Sequence, residues 1–261
     1  MKITDILSVL EAVAPPHLQE SYDNSGLIVG DPETPVNGIL FCLDSTEAIV
    51  SEAIAKGCNL IVAHHPIVFK GLKRLNGASY IERTIIQAIR HNIAIYAIHT
   101  NLDNVYRQGV NAKIAERIGL TDTRILAPKT TDFEIGAGML GNLAKPMDET
   151  DFLQHLKKTL QTNCIRHTSL RGKPIRKVAV CGGSGSFLLS EALRAKADAF
   201  VSADFKYHEF FDAEGKLVIA DVGHFESEQF TIELLRDIVR EKFPTFALHL
   251  TEKNTNPVSY F

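Results

Sequence analysis

The sequence predicts an α/β fold of two lobes, each a mixed, mostly parallel sheet flanked by helices. Three observations predict it. Runs such as "NLIVA" (59–63) and "IAIYAI" (93–98) are apolar almost throughout, the mark of strands covered on both faces. They alternate with segments whose apolar residues recur at helical spacing, as a parallel sheet with crossover helices requires. The alternation restarts near residue 130. The expected lobes are residues 1–125 with 221–261, and residues 126–220.

Each element has a local cause. Thr4 can cap an opening helix in which Ile6, Leu7, Leu10 and Val13 share a face. "APPHLQESYDNSG" (14–26) is loop by its Pro, Asn and Gly content. Two β-rich runs follow with a Pro/Gly turn between them, the second from Ile39 to Leu43 and ending at Asp44. "STEAIVSEAIAKGC" (45–58) reads as a helix capped by Ser45 or Thr46 and stopped by Gly57. "NLIVA" runs straight into His64 and His65. A helix over 80–90 leads to "IAIYAI", which runs into "HTNLDNVYRQG" (99–109), and a further helix from Gly109 to Ile118 ends at Gly119. In the second set, "FEIGAGMLGNLAKP" (133–146) is strand-like and "DETDFLQHLKKTL" (148–160) is a helix. "RKVAVCGGSGSFLLSEALRAK" (176–196) reads as strand, glycine turn and helix. "DAFVSADFKYHEF" (198–210) is a strand and a polar loop. Residues 216–243 give a strand, a short turn and a long helix, and "TFALHLTE" (245–252) a last strand.

Composition excludes several classes. The 261 residues suffice for a core without covalent staples. The formal net charge of −3 offers no broad basic surface, which argues against nucleic acid as a partner. The local basic stretch "SLRGKPIRK" (169–177) is read as a solvated loop. The four cysteines, at 42, 58, 164 and 181, include no CxxC pair, which argues against a Cys-ligated zinc and for reduced thiols in a cytoplasmic protein. "MKITDILSVL" carries no apolar signal core, and no run approaches the ~18 apolar residues of a membrane span, so no membrane partner is expected.

The chemistry concentrates where strands end. "NLIVA" delivers His64 and His65. "IAIYAI" delivers His99 and, four residues on, Asp103. "KLVIA" delivers Asp221, His224 and Glu228, and Asp44 ends a fourth strand. Taken singly, Asp103 or Asp221 is an ordinary cap, and His224 with Glu228 an ordinary pair on one helix face. His17, His91, His155, His167 and His249 stand alone and receive the ordinary reading. The combination is different, because ligands bind at the carboxyl ends of strands in open parallel sheets. Imidazole plus carboxylate, without thiolate, suits Zn, Mn, Fe, Ni or Co. His64, His65, Asp103, His224 and Glu228 exceed what one tetrahedral ion uses and suit two divalent ions about 3.5–4 Å apart. Adjacent histidines fit such a pair, one for each ion.

Two further stretches are candidates for substrate contact. Gly183 and Gly185 in "CGGSGSFLLSEAL" (181–193) can present backbone N–H groups to an anion at a helix start, although Leu188 breaks the GxGxxG pattern and a tight turn with close helix–strand packing is the favoured reading of the glycines. Lys206 and His208 follow a strand, and either can act as general acid or substrate clamp if that strand end faces the metals, or serve as a surface residue if it does not.

"SYDNSGLIVG", "AHHPIVF", "HTNLDNVYRQGVN", "VCGGSGSFL", "ADFKYHEFF" and "DVGHFESEQ" resemble, in order, the motifs of the NIF-three-like proteins, whose bacterial members carry the name GTP cyclohydrolase I type 2 homologue. The resemblance runs from about residue 21 to 230 and into the last helix. It implies a two-lobed α/β protein with a dinuclear metal centre in the cleft, assembled as a homohexamer of two stacked trimers. It implies His64 and His65, Asp103, and His224 with Glu228 as the metal ligands. Ser202-Ala203-Asp204 departs from the Thr-Gly-acid pattern of many relatives.

Two functions follow. One is a metal-dependent hydrolase acting on an unidentified small molecule, a nucleotide among the candidates, through a metal-activated water, with His208 protonating the leaving group. The other is a non-enzymatic hexamer that binds metal as a partner, metal-handling or regulatory protein.

Overall fold

The computed structural model describes residues 1–131 and 133–261. In chain order its helices and strands are α1 (Ile3–Val13), β1 (Gly26–Val29), β2 (Ile39–Cys42), α2 (Glu47–Ala55), β3 (Leu60–Ala63), α3 (Tyr80–Arg90), β4 (Ala94–Ala97) and α4 (Thr100–Asp103). Then come α5 (Val110–Ile118), β5 (Leu120–Pro128), β6 (Gly136–Met147), α6 (Glu149–Thr159), β7 (Arg166–His167), β8 (Ile175–Ser184), α7 (Leu189–Arg194) and β9 (Ala199–Ala203). The chain finishes with β10 (Val218–Asp221), α8 (His224–Glu228), α9 (Thr231–Lys242) and β11 (Leu248–Leu250). The α/β class with two mixed sheets is as the sequence predicts. The described residues divide into two compact units, 1–102 with 231–257, and 103–230 with 258–261.

In the first unit the sheet order is β1-β4-β3-β2-β11. β11, β2, β3 and β4 run parallel, and β1 is antiparallel to β4. Every residue of β2, β3 and β4 is buried, which is why these strands read as unbroken apolar runs. Ile49, Val50 and Ala53 of α2 and Ile85 and Ala88 of α3 complete a core over Leu40, Ile61 and Ile95. Thr46 and Ser79 cap α2 and α3 by accepting from the N–H of Ile49 and Glu82. The register decides the site. Cys42, Ala63 and Ala97 lie opposite one another at the strand ends, so the residues just beyond them leave from one sheet edge. At α1 the structure corrects the sequence reading: the helix starts at Ile3, Lys2 takes the cap position, and Asp5 accepts from the Lys2 N–H at 2.7 Å.

In the second unit the order is β5-β6-β8-β9-β10-β7. β8, β9 and β10 are parallel, while β5, β6 and β8 pair antiparallel. Phe200, Phe205, Leu217 and Ile219 sit at its core with Ala179 and Leu188. β5 runs Thr121, Asp122, Thr123 and Arg124 together before its buried Ile125 and Leu126, so it lacks the alternation that marks a strand and was not assigned from sequence. Residues 103–125 and 221–230 belong with this unit, because α5 packs on β5, β6 and β8 and α8 on β8 and β9. The expected glycine turn after Cys181 is also corrected. β8 continues through Gly182 and Gly183 to Ser184, and a 3-10 turn at Ser186–Leu188 separates it from the six-residue α7. Among the described residues no helix is long and apolar enough to cross a membrane.

Candidate metal centre

In the first unit, β3 delivers His64 and His65, and β4 delivers His99. Their rings pack 4.9 to 5.4 Å apart, and one nitrogen of each lies within 4.8 Å of the others. Each ring is oriented from behind. His64, fully buried, donates from Nδ1 to the Ile98 carbonyl at 2.9 Å. His65 Nδ1 donates to Asp44 Oδ1 at 2.8 Å, and His99 Nδ1 to Asp23 Oδ1 at 2.9 Å. A carbonyl or carboxylate only accepts, so Nδ1 carries the proton and the lone pair sits on Nε2. That is the arrangement of metal-binding histidines, whose second nitrogen is tied to an oxygen acceptor.

The two carboxylates are themselves held. Asp23 also accepts from the Thr100 N–H at 3.0 Å and from its hydroxyl. Burial alone would raise the Asp23 pKa, but the hydrogen bonds from His99 and Thr100 hold it well below the ordinary range. Asp44 follows the same pattern: burial opposes its charge, and hydrogen bonds from His65 and Thr255 keep its pKa low.

In the second unit the donors are carboxylates and one imidazole. Gly223, at φ 93°, opens the short helix α8, which sets His224 and Glu228 one turn apart. His224 Nδ1 lies 2.6 Å from Asp204 Oδ2 and its Nε2 3.1 Å from Glu228 Oε2. Burial alone would lower the His224 pKa, but these two carboxylates raise it to about 11. Ser184 donates to the same Asp204 oxygen at 2.5 Å. A carboxylate oxygen of Asp103 lies within 4.8 Å of one on Glu228. The Cys181 thiol behind them is pushed up by burial and by the charges of Asp103 and Glu228, so it stays a neutral packing group rather than a thiolate ligand.

Gly183 and Gly185 turn out to serve packing. The Gly183 N–H, assigned from sequence to an anion, donates to Ser227 Oγ of α8 at 2.9 Å. A Cβ on Gly183 would lie 2.5 Å from Glu228 Oε1 and 3.1 Å from His224 Cε1. One on Gly185 would collide with Ser202 Oγ and Cys181. Gly183 lets α8 approach β8 closely enough to set His224 and Glu228 against the strand, and Gly185 makes room for Ser202 and Cys181. Lys206 and His208 lie on the exposed face of a 3-10 segment, Tyr207–Ala213. The His208 ring stacks near Tyr207 and Phe211, and among the described residues it belongs to none of the clusters able to hold a metal.

Among the residues expected from sequence, the first unit sets His64 beside His65 and the second sets Asp103, His224 and Glu228 in one group, and two of the carboxylates that orient the rings were not expected. Asp44 and His99 were visible as strand-end residues. Asp23 and Asp204 sit in loops where an acidic residue is unremarkable, and only the fold shows what they face. The candidate donors are imidazole nitrogens and carboxylate oxygens, a set that fits a borderline or hard divalent cation.

The Duf34/NIF3 (NGG1p interacting factor 3) family model matches residues 1–257. The chain belongs to the Duf34/NIF3 family. Similar proteins include the GTP cyclohydrolase 1 type 2 homolog of Clostridium perfringens, 34% identical over 93% of this chain and 92% of the relative. That of Campylobacter jejuni is 32% identical over the full length of both. The fold matches a Bacillus cereus protein related to NIF3 with a TM-score of 0.93 at 25% identity, covering 100% of this chain and 99% of the other. As a Duf34/NIF3 protein the chain carries His and Glu groups able to bind a metal.

Proposed function

We propose that this protein binds two divalent metal ions through His64, His65, Asp103, His224 and Glu228, and that it is a metal-dependent hydrolase. The observation that carries the reading is shared by the three histidines of the first unit: His64, His65 and His99 each have Nδ1 tied to an oxygen acceptor, which leaves the Nε2 lone pair for a ligand role. Five ligands, two of them carboxylates able to bridge, exceed the needs of one ion. Family membership and the cyclohydrolase name of the relatives support a nucleotide such as GTP as the first substrate to try.

When bound, such ions polarise the substrate and lower the pKa of a water to near neutrality. The chain's own groups do the rest. Asp44, Asp23 and Asp204 hold the rings in place, and Asp103 and Glu228 supply the negative charge that neutralises the cations. His99 lies beside His64 and His65 and belongs to the same cluster. His208 and Lys206, on an exposed segment, are the groups proposed to meet substrate as acid and clamp. Assembly as a homohexamer of stacked trimers is part of the same proposal, and light scattering of the purified protein tests it.

The deciding experiment is metal analysis after loading with Zn, Mn or Fe, followed by a screen of GTP, other nucleotides and phosphoesters. Two ions per chain, with turnover that Glu228→Gln abolishes, is the expected result. Metal near zero after loading overturns the reading. Full metal with no turnover removes the hydrolase and leaves a metal-binding protein.

A further inference from the structure

Residues 251–261 follow β11 and are pinned at their start. Thr251 Oγ1 and the Glu252 N–H both donate to the buried Glu52 carboxylate, the second at 2.9 Å, and Lys56 pairs with Glu252 at 2.7 Å. The Asn256 N–H donates to Asn254 Oδ1 at 2.9 Å, a side-chain turn that presents the residue between them. That residue, Thr255, donates from Oγ1 to Asp44 Oδ2 at 2.7 Å. The other oxygen of Asp44 accepts from His65 Nδ1 at 2.8 Å. Asp44 is thus held on both oxygens, by the histidine on one side and by residue 255 on the other.

The chain passes into the second unit after Pro257. There Tyr260 hydrogen-bonds Glu226, which lies on α8 between His224 and Glu228. Burial and the Glu226 charge raise the Tyr260 pKa, so the hydroxyl stays protonated and donates. The Thr255 and Tyr260 side chains therefore end on the carboxylate beside His65 and on the helix that carries His224 and Glu228.

We propose that residues 254–261 form a positioning strap for the metal centre, with Thr255 fixing His65 through Asp44 and Tyr260 fixing α8 through Glu226. The strap rests on the metal-binding reading above. A carboxylate held on one oxygen swings about its last bond, and the ring it orients swings with it. The Thr255 hydroxyl removes that freedom at Asp44. Loss of such outer partners weakens metal binding by about 10- to 100-fold in general. Because Thr255 reaches the metal only through two hydrogen bonds in series, the lower end of that range is expected.

Chelator-competition titration with Zn²⁺ tests this on the full chain. Thr255→Val, which keeps the shape and removes the hydroxyl, should weaken binding about 10-fold. Thr255→Ser should restore affinity to within about 2-fold, a rescue that a merely structural role would not need. Tyr260→Phe should weaken binding by a smaller factor. In the metal-free chain, ¹⁵N imidazole spectra of Thr255→Val should show His65 losing its single Nδ1–H tautomer. Wild-type affinity in Thr255→Val, or an unchanged His65 tautomer, overturns the strap while leaving the metal reading intact. Absence of Zn²⁺ binding by the wild type overturns the metal reading and the strap with it.

Discussion

The two units group their candidate ligands by different means. In the first, rings are placed by register: β3 and β4 end level, so His64, His65 and His99 emerge side by side, and each is aimed by a carbonyl or carboxylate behind it. In the second, ligands are placed by approach. The five-residue α8 is pressed onto β8 across Gly183, and its imidazole sits between Asp204 and Glu228. Register depends on a ladder of backbone hydrogen bonds and tolerates changes near it. Close approach depends on the absence of one side chain. The second group should therefore be the more fragile.

The largest effect is expected at that glycine. Gly183→Ala introduces a Cβ 2.5 Å from Glu228 Oε1 and places an L-residue at φ 59°. The backbone strain costs about 1–3 kcal/mol, and Glu228 must move. Bound metal should fall below half of the wild-type content. Gly215→Ala is the control: it has φ 66° and nothing within 4 Å of the added Cβ. It should lose comparable stability in denaturant titration and keep its metal. Equal metal in both variants would show that close approach at Gly183 does not place the ligands.

A smaller effect separates charge from geometry. Asp204→Asn retains an oxygen that can accept from His224 and Ser184 but removes one of the two charges around the ring. Metal affinity should fall about 10-fold, within the usual range for such partners. In the metal-free chain the His224 pKa should drop from about 11, as ¹⁵N or ¹H NMR titration would show. Asp44→Asn, beside His65 in the all-imidazole group, should cost less, because the amide keeps an oxygen to accept from His65 while Thr255 holds its other end. The reverse order would mean that orientation, not charge, dominates in both units.

The sequence carried the alternating strands well because β2, β3 and β4 are buried at every position and nothing but apolar residues fits. It pointed to the clustered His and acidic residues because imidazoles and carboxylates at strand ends are conspicuous. At Gly183 it left two readings, because the same letters serve a phosphate-binding turn or a close packing contact, and the location of α8 decides for the packing contact. It failed at Asp23 and Asp204 for a related reason. Their partners, His99 and His224, lie 76 and 20 residues away, and pairings at such separations have no local signature. The edge strand β7, two residues long and exposed, has no apolar pattern to detect.

A third charged cluster shows what these groups look like when they serve structure alone. Glu149, at the start of α6, is buried and accepts from the N–H groups of Arg171 and Gly172, each at 2.8 Å, and from the Arg171 side chain at 3.2 Å. Arg171 also pairs with Asp198 at 3.2 Å. Here every acceptor has a backbone or guanidinium donor, and no imidazole is present. Burial alone would raise the Glu149 pKa, but these hydrogen bonds lower it below the ordinary value. A carboxylate depressed in the folded state stabilises fully above its unfolded pKa, about 4.3 for Glu. That stability fades as pH falls through the lower, folded value. Glu149→Gln should cost about 2 kcal/mol near pH ~7, since it leaves donors short of an anionic partner. The gap from wild type should narrow as urea titrations are repeated at pH below ~4. Metal content should be unchanged. A loss of metal in this variant would break the contrast, because it would tie a purely structural network to the ligands of α8.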